Sequence, residues 1–197
     1  MELYQQTKMV LGTHALLTLK SNMPKTEINQ IYNSLWYKIE EFDKRYSRFR
    51  LDSELTSFNQ RPGVWNQTSE EFSELLTAAI GMSESTSGTF NPFILPALNR
   101  VGYKSSWVPT DATANPPDYS DRMVVTPNSL KLKTRLAKIP VNSAIDMGGI
   151  GKGFLLDKLA ASAEELGIYN YWFSLGGDII ARGHDKRDNP WQIMIAS

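Results

Sequence analysis

The sequence contains no cysteine. That excludes disulfides, thiolate nucleophiles and cysteine-ligated zinc. It leaves the redox compartment open. Net charge is absent too: 21 Lys and Arg balance 21 Asp and Glu. There is no electrostatic footprint for nucleic acid, and no basic run suited to a membrane surface. Histidine is scarce. His14 falls at a strand start and His184 in a polar turn, too far apart in sequence to suggest a ligand pair. No apolar run is long enough to span a bilayer, so no transmembrane segment is expected. The start, "MELYQQTKMVLGTHALLTLK", has no basic segment leading into an apolar one and no cysteine for lipid. This predicts a cytoplasmic chain, or a trimmed form of one that is exported or membrane-anchored. Neither G-x-S-x-G nor H-E-x-x-H occurs, so the common hydrolase signatures are missing.

What is present suits a folded domain. Of 197 residues, 41% are apolar and 11% aromatic, enough for a core and too many for disorder. A strand is expected over 15–19 after a turn at Gly12. A helix follows from about Pro24 to Lys44, because Ile28, Ile31, Leu35, Ile39 and Phe42 recur at helical spacing. The period is lost over 45–60, a structured loop with a short helix near 53–58. Thr68 and Glu71 have capping-box spacing. They open a helix burying Phe72, Leu75, Leu76, Ala79 and Met82 and ending at Gly88. A short apolar helix lies between Pro92 and Val101. Residues 104–122 are rich in Pro, Asp, Ser and Thr, a surface excursion. "MVVTPNSLKLKT" reads as a hairpin about Pro-Asn. A helix over 154–166 stops at Gly167. Two strands flank Gly176-Gly177, and Trp191, Ile193 and Ile195 alternate along a final strand. The fold class expected is α+β, with mixed or antiparallel sheets packed against helices in a single domain over 1–197.

The chemistry-bearing stretch is "AIDMGGIGKGFLLDKL", residues 144–159. Gly148, Gly149, Gly151 and Gly153 permit positive φ and close approach to the main chain. Their amides and the following helix can form an anion nest. Lys152 adds a cation, and Asp146 a ligand for a metal or a hydroxyl. The pattern is neither a Walker A loop nor a dinucleotide fingerprint. On glycine content alone, a phosphate cradle and a tight strand-to-helix turn are equally good readings. Elsewhere, Gly176-Gly177-Asp178, "GTFNPFILP" and "YSRFRLDSEL" read individually as a turn, a turn with core aromatics and a solvated loop.

Taken in order, these stretches resemble the ApbE family of FAD:protein FMN transferases. "DMGGIGKGFLLDKL" is similar to its Asp-Leu-Gly-Gly-Ile-Ala-Lys-Gly stretch, and "SLGGDIIARG" to its later Gly-Gly segment. "SGTFNPFILPAL" resembles Gly-Ala-Phe-Asp-Pro-Thr, "FRLDSELTSFNQ" resembles Ser-Glu-Leu-x-x-Phe-Asn, and "LGTHALLTL" resembles the Met-Gly-Thr entry strand. The resemblance covers nearly the whole chain. It implies an ApbE-like, T-fold-related architecture. It also implies Mg²⁺-dependent transfer of FMN from FAD to a threonine or serine of a flavin-acceptor protein, with release of AMP. Some relatives hydrolyse FAD to FMN and AMP instead.

Residue by residue, the resemblance places Asp146 and Lys152 on FAD and gives the Gly149 carbonyl to the metal. Thr89, Phe90 and Asn91 line the nucleotide pocket, Asn91 standing where aspartate is common. Phe49 falls where tyrosine is frequent and Leu11 where methionine is. No catalytic residue is assigned. Family chains continue past the position of Ser197, with a metal-binding segment and a histidine. This chain is therefore expected to lack the C-terminal part of the site, and a flavin-binding fragment without turnover is the remaining alternative.

Overall fold

A computed structural model describes residues 1–106 and 116–193. The chain forms two compact units. One holds residues 1–41 and the described residues from 155 onward; the other holds 42–154.

The first unit is built on a sheet of order β1-β2-β6-β7, antiparallel throughout. Its strands are β1 (Glu2–Val10), β2 (Thr13–Ser21), β6 (Tyr171–Leu175) and β7 (Asp178–Arg182). Ala15, Leu17, Leu19, Tyr171, Phe173 and Leu175 alternate onto one buried face. Helix α1 (Lys25–Tyr46) is tied to this sheet by the Tyr32 hydroxyl, which donates to the Leu17 carbonyl at 3.2 Å. Trp36 Nε1 donates to Gln6 Oε1 at 2.7 Å. Helix α5 (Gly151–Glu165) is tied through Glu164, which accepts from Tyr171 at 2.8 Å and pairs with Arg182. Each large apolar side chain so buried contributes about 1.5–3 kcal/mol.

The second unit holds α2 (Glu54–Asn59), α3 (Glu70–Ser85), α4 (Leu95–Arg100) and a small sheet. That sheet has order β3-β5-β4, from β3 (Asn66–Gln67), β4 (Lys131–Lys133) and β5 (Leu136–Lys138). Its core contains an aromatic cluster. Phe42 meets Tyr46 edge-on at 4.8 Å, Tyr46 stacks on Phe72 at 5.4 Å, and Phe58 meets Phe72 edge-on at 5.4 Å. Within this unit, Arg45 in the last turn of α1 reaches Glu54 of α2 at 3.1 Å and Glu71 of α3 at 2.9 Å.

The α+β class with antiparallel sheets is as expected, and several boundaries differ. Strand β1 is unforeseen: among the described residues it pairs only with β2, and its mostly exposed, polar sequence carries little apolar alternation. Ser69, not Thr68, caps α3, accepting from the Phe72 amide at 3.1 Å. Thr68 instead bonds Ser73, and Glu71 turns to Arg45. Met82 lies on the exposed side of α3. The hairpin is displaced along the chain. Pro127–Ser129 is a 3-10 turn, and β4 pairs with β5 through a bend where Arg135 has φ +56°. Helix α5 begins at Gly151 rather than Phe154, and Leu166 lies past its end. Trp191–Ile193 is not strand, while the rest of that expected strand lies outside the described residues. So does 107–115, the middle of the expected excursion.

Candidate functional site

The segment 143–147 is neither helix nor strand and belongs to neither described sheet. Its backbone is therefore satisfied by side chains and loops. The Asn59 amide, fully buried, accepts from Ile145 N–H at 2.8 Å and donates to Ile145 C=O at 2.8 Å. Arg122 donates to the Asn59 and Ser143 carbonyls at 2.6 and 2.9 Å. The Asp146 amide donates to the Pro92 carbonyl at 2.8 Å. This scaffold fixes Asp146 beside the loop that carries Phe90.

Asp146 is buried, and its two oxygens have different partners. Oδ1 lies 3.4 Å from Arg48 Nε, and Oδ2 accepts from the Gly148 amide at 3.0 Å. Burial pushes its carboxyl above the usual carboxylate range, while the Arg48 charge and the Gly148 N–H oppose that rise. Arg48 is as deeply placed. Its guanidinium lies 4.6 Å from the Phe49 ring and 4.3 Å from the Tyr103 ring, and the two rings meet edge-on at 5.8 Å. Both terminal nitrogens, Nη1 and Nη2, are buried without a hydrogen-bond partner among the described residues.

None of Gly148, Gly149, Gly151 and Gly153 has positive φ; Gly148 and Gly149 act here by lacking Cβ. A Cβ on Gly148 would stand 2.8 Å from Asp146 Oδ2, and one on Gly149 would stand 3.1 Å from the Phe90 ring. The anion nest is smaller than expected. The Gly148 amide serves Asp146, and those of Ile150 and Gly151 bond the Met147 carbonyl. Lys152 lies half-buried in the first turn of α5.

The other expected residues divide. Phe90 packs under Gly149, its amide and carbonyl held by Thr86 and Ser83. Thr89 is exposed on the same loop. Asn91 has a structural role at both ends of its amide: Oδ1 accepts from Phe93 N–H, and Nδ2 donates to the Val125 carbonyl at 2.9 Å. Leu11 belongs to the first unit, in the β1–β2 turn, with φ +55° beside Gly12 at +69°. Phe49, Thr89, Phe90, Asn91, Asp146, Gly149 and Lys152 all belong to the second.

The sequence profile of the ApbE family matches residues 11–197. The chain belongs to the ApbE family. Among relatives, it is 29% identical over 165 residues to the FAD:protein FMN transferase of Haemophilus influenzae, covering 80% of this chain and 47% of that protein. It is 29% identical over 182 residues to that of Vibrio cholerae, covering 87% and 50%. Two solved ApbE folds are similar. The flavin transferase ApbE of Vibrio cholerae gives a TM-score of 0.81 at 22% identity, covering 98% of this chain and 63% of that one. The apo flavinyl transferase ApbE of Pseudomonas stutzeri gives 0.82 at 22%, covering 98% and 65%. This ApbE chain spans about half the length of the curated relatives it matches. Among its described residues, no helix is long and apolar enough to cross a membrane.

Arg48 is the site residue that the sequence reading passed over. Nothing in "RYSRFR" separates Arg48 from Arg45 or Arg50. Only the fold turns one toward Asp146, one toward Glu54 and Glu71, and one toward Asp52.

Proposed function

We propose that this chain forms part of the FAD site of a flavin transferase. The acceptor hydroxyl, from a threonine or serine of a partner protein, attacks the flavin-side phosphorus of FAD. The bridging P–O bond breaks, AMP departs with its electron pair while the hydroxyl proton passes to it or to water, and FMN is left in phosphoester linkage. The observation that supports this reading best is the cluster joining Asp146, Arg48, Phe49 and the Phe90–Gly149 contact. It combines a buried cation with idle donors, an acceptor and flat aromatic surfaces, which suits a nucleotide. The names of the relatives point the same way.

The chain's own residues bind and orient on this reading. Phe49, Thr89 and Phe90 form a wall. Asn91 shapes that wall through its bonds to Phe93 and Val125 rather than by charge. Lys152 supplies a cation toward phosphate, and Leu11 is carried by the resemblance alone. A divalent cation would lower the charge on the diphosphate when bound. The described residues do not complete a site for one. They contain no group of three or more His, Asp or Glu placed to hold a metal. The Gly149 carbonyl is the one donor the resemblance assigns to the ion.

The test is mass spectrometry of an acceptor protein incubated with the whole protein, FAD and Mg²⁺. A covalent FMN increment on Thr or Ser is expected. FMN and AMP formed without any increment would make it an FAD hydrolase. FAD left intact would overturn both readings.

A further inference from the structure

Arg48 is a buried cation using one edge of its guanidinium. Its side chain is 7% exposed and that of Asp146 is 10%. Nε faces Asp146, the rings of Phe49 and Tyr103 lie against the group, and Nη1 and Nη2 have no partner. An unmet buried donor carries its desolvation penalty uncompensated, which is a large share of the stability of a small domain. An ion pair alone would not need the far edge of the fork.

The usual partner of such a fork is phosphate. Here the same cation already has a carboxylate against it. A diphosphate placed on Nη1 and Nη2 would meet the charge of Asp146 in a poorly solvated site, where like charges repel strongly. With Asp146 ionised the pair is neutral overall. It presents donors from Arg48 next to an acceptor on Asp146. The complement is a neutral flat edge with an acceptor beside an N–H. Aromatic faces at Phe49 and Tyr103 suit the ring that carries it.

We infer that Arg48 and Asp146 together read the hydrogen-bonding edge of a ring of the flavin nucleotide, and not its diphosphate. Arg48 donates to a ring acceptor, and Asp146 accepts the neighbouring N–H. Arg48 is thereby a specificity-determining residue, an inference that rests on the flavin-nucleotide reading above. FAD offers this chemistry twice: the adenine amino group beside a ring nitrogen, and the isoalloxazine N–H between two carbonyls.

Isothermal titration separates these sources. The full chain and its Arg48→Met and Arg48→Lys variants are titrated with FAD, AMP, riboflavin and inorganic pyrophosphate. Both substitutions are expected to weaken one ring fragment, AMP or riboflavin, at least tenfold. The other fragment and pyrophosphate should change less than twofold. The fragment affected identifies the ring. Methylating its edge N–H, as in N6,N6-dimethyl-AMP or N3-methylriboflavin, removes the proton that Asp146 accepts and should weaken wild-type binding at least tenfold. If Arg48→Met fails to fold by circular dichroism, Arg48→Lys, which keeps the charge beside Asp146 and loses the fork, decides the matter. FAD binding that neither substitution changes, or a loss confined to pyrophosphate, overturns the edge reading and leaves the flavin site standing. Binding of no nucleotide by the wild type overturns both.

Discussion

The side-chain amide of Asn59 closes on the backbone of Ile145, 86 residues away, accepting and donating at 2.8 Å each. This clamp replaces the sheet ladder that the segment before Asp146 lacks. Asn59→Ala should leave a buried N–H and C=O unmet and destabilise the chain by about 2–4 kcal/mol. Urea unfolding measures this. A loss within experimental error would show that the segment is held by Arg122 and Pro92 alone.

Arg48→Met should destabilise in a pH-dependent way. Burial raises the folded-state pKa of Asp146 above its unfolded value, so the folded state binds the proton more tightly. Stability associated with this group is full below the unfolded pKa and declines as pH rises through the folded one. Removing Arg48 removes an opposing charge, raises the folded value further and deepens the decline. The difference from wild type should be smallest at acid pH, below the unfolded carboxylate range, and should grow as pH rises through the folded value. Asp43, also raised by burial, titrates in both proteins and cancels. Unfolding at several pH values checks this, and a constant difference would count against the ion pair.

The glycines of the loop should respond differently to alanine. Gly148→Ala puts a Cβ 2.8 Å from Asp146 Oδ2 and must displace the carboxylate, costing about 1–3 kcal/mol. Gly153→Ala meets nothing within 4 Å and lies in α5, so it should stabilise by up to about 1 kcal/mol. Thermal melts of the two variants should move in opposite directions.

Asp146→Asn keeps the shape and removes the charge. On the proposed flavin reading, FAD affinity should fall at least about tenfold, or 1.4 kcal/mol. Equilibrium dialysis of the chain with FAD reports it. Unchanged affinity would remove Asp146 from the ligand site.

Much of the fold was legible wherever one local pattern dominated. The 3.6-residue stripe of α1 and the Gly176-Gly177 turn, with φ +61° and +99°, are decided within a few residues. The cap of α3 was misread because Thr68 and Ser69 are chemically interchangeable there, and Glu71 has a stronger partner in Arg45. The candidate site was legible at Asp146, Gly149 and Phe90, whose types and order are distinctive. It was illegible at Arg48 and Asn59, ordinary polar residues whose partners lie far along the chain.

By itself, then, the sequence determined the α+β class, the main helices, the β6–β7 turn and the ApbE resemblance. These follow from periodicity, turn chemistry and ordered motifs, all of which act over short separations. The tertiary structure alone decided which of three neighbouring arginines meets Asp146, and what the loop glycines are for. Gly148 and Gly149 make room for a carboxylate and a phenyl ring rather than supply positive φ. Those outcomes depend on long-range packing that brings distant backbone and side-chain groups to hydrogen-bonding distance, and spacing along the chain does not encode it.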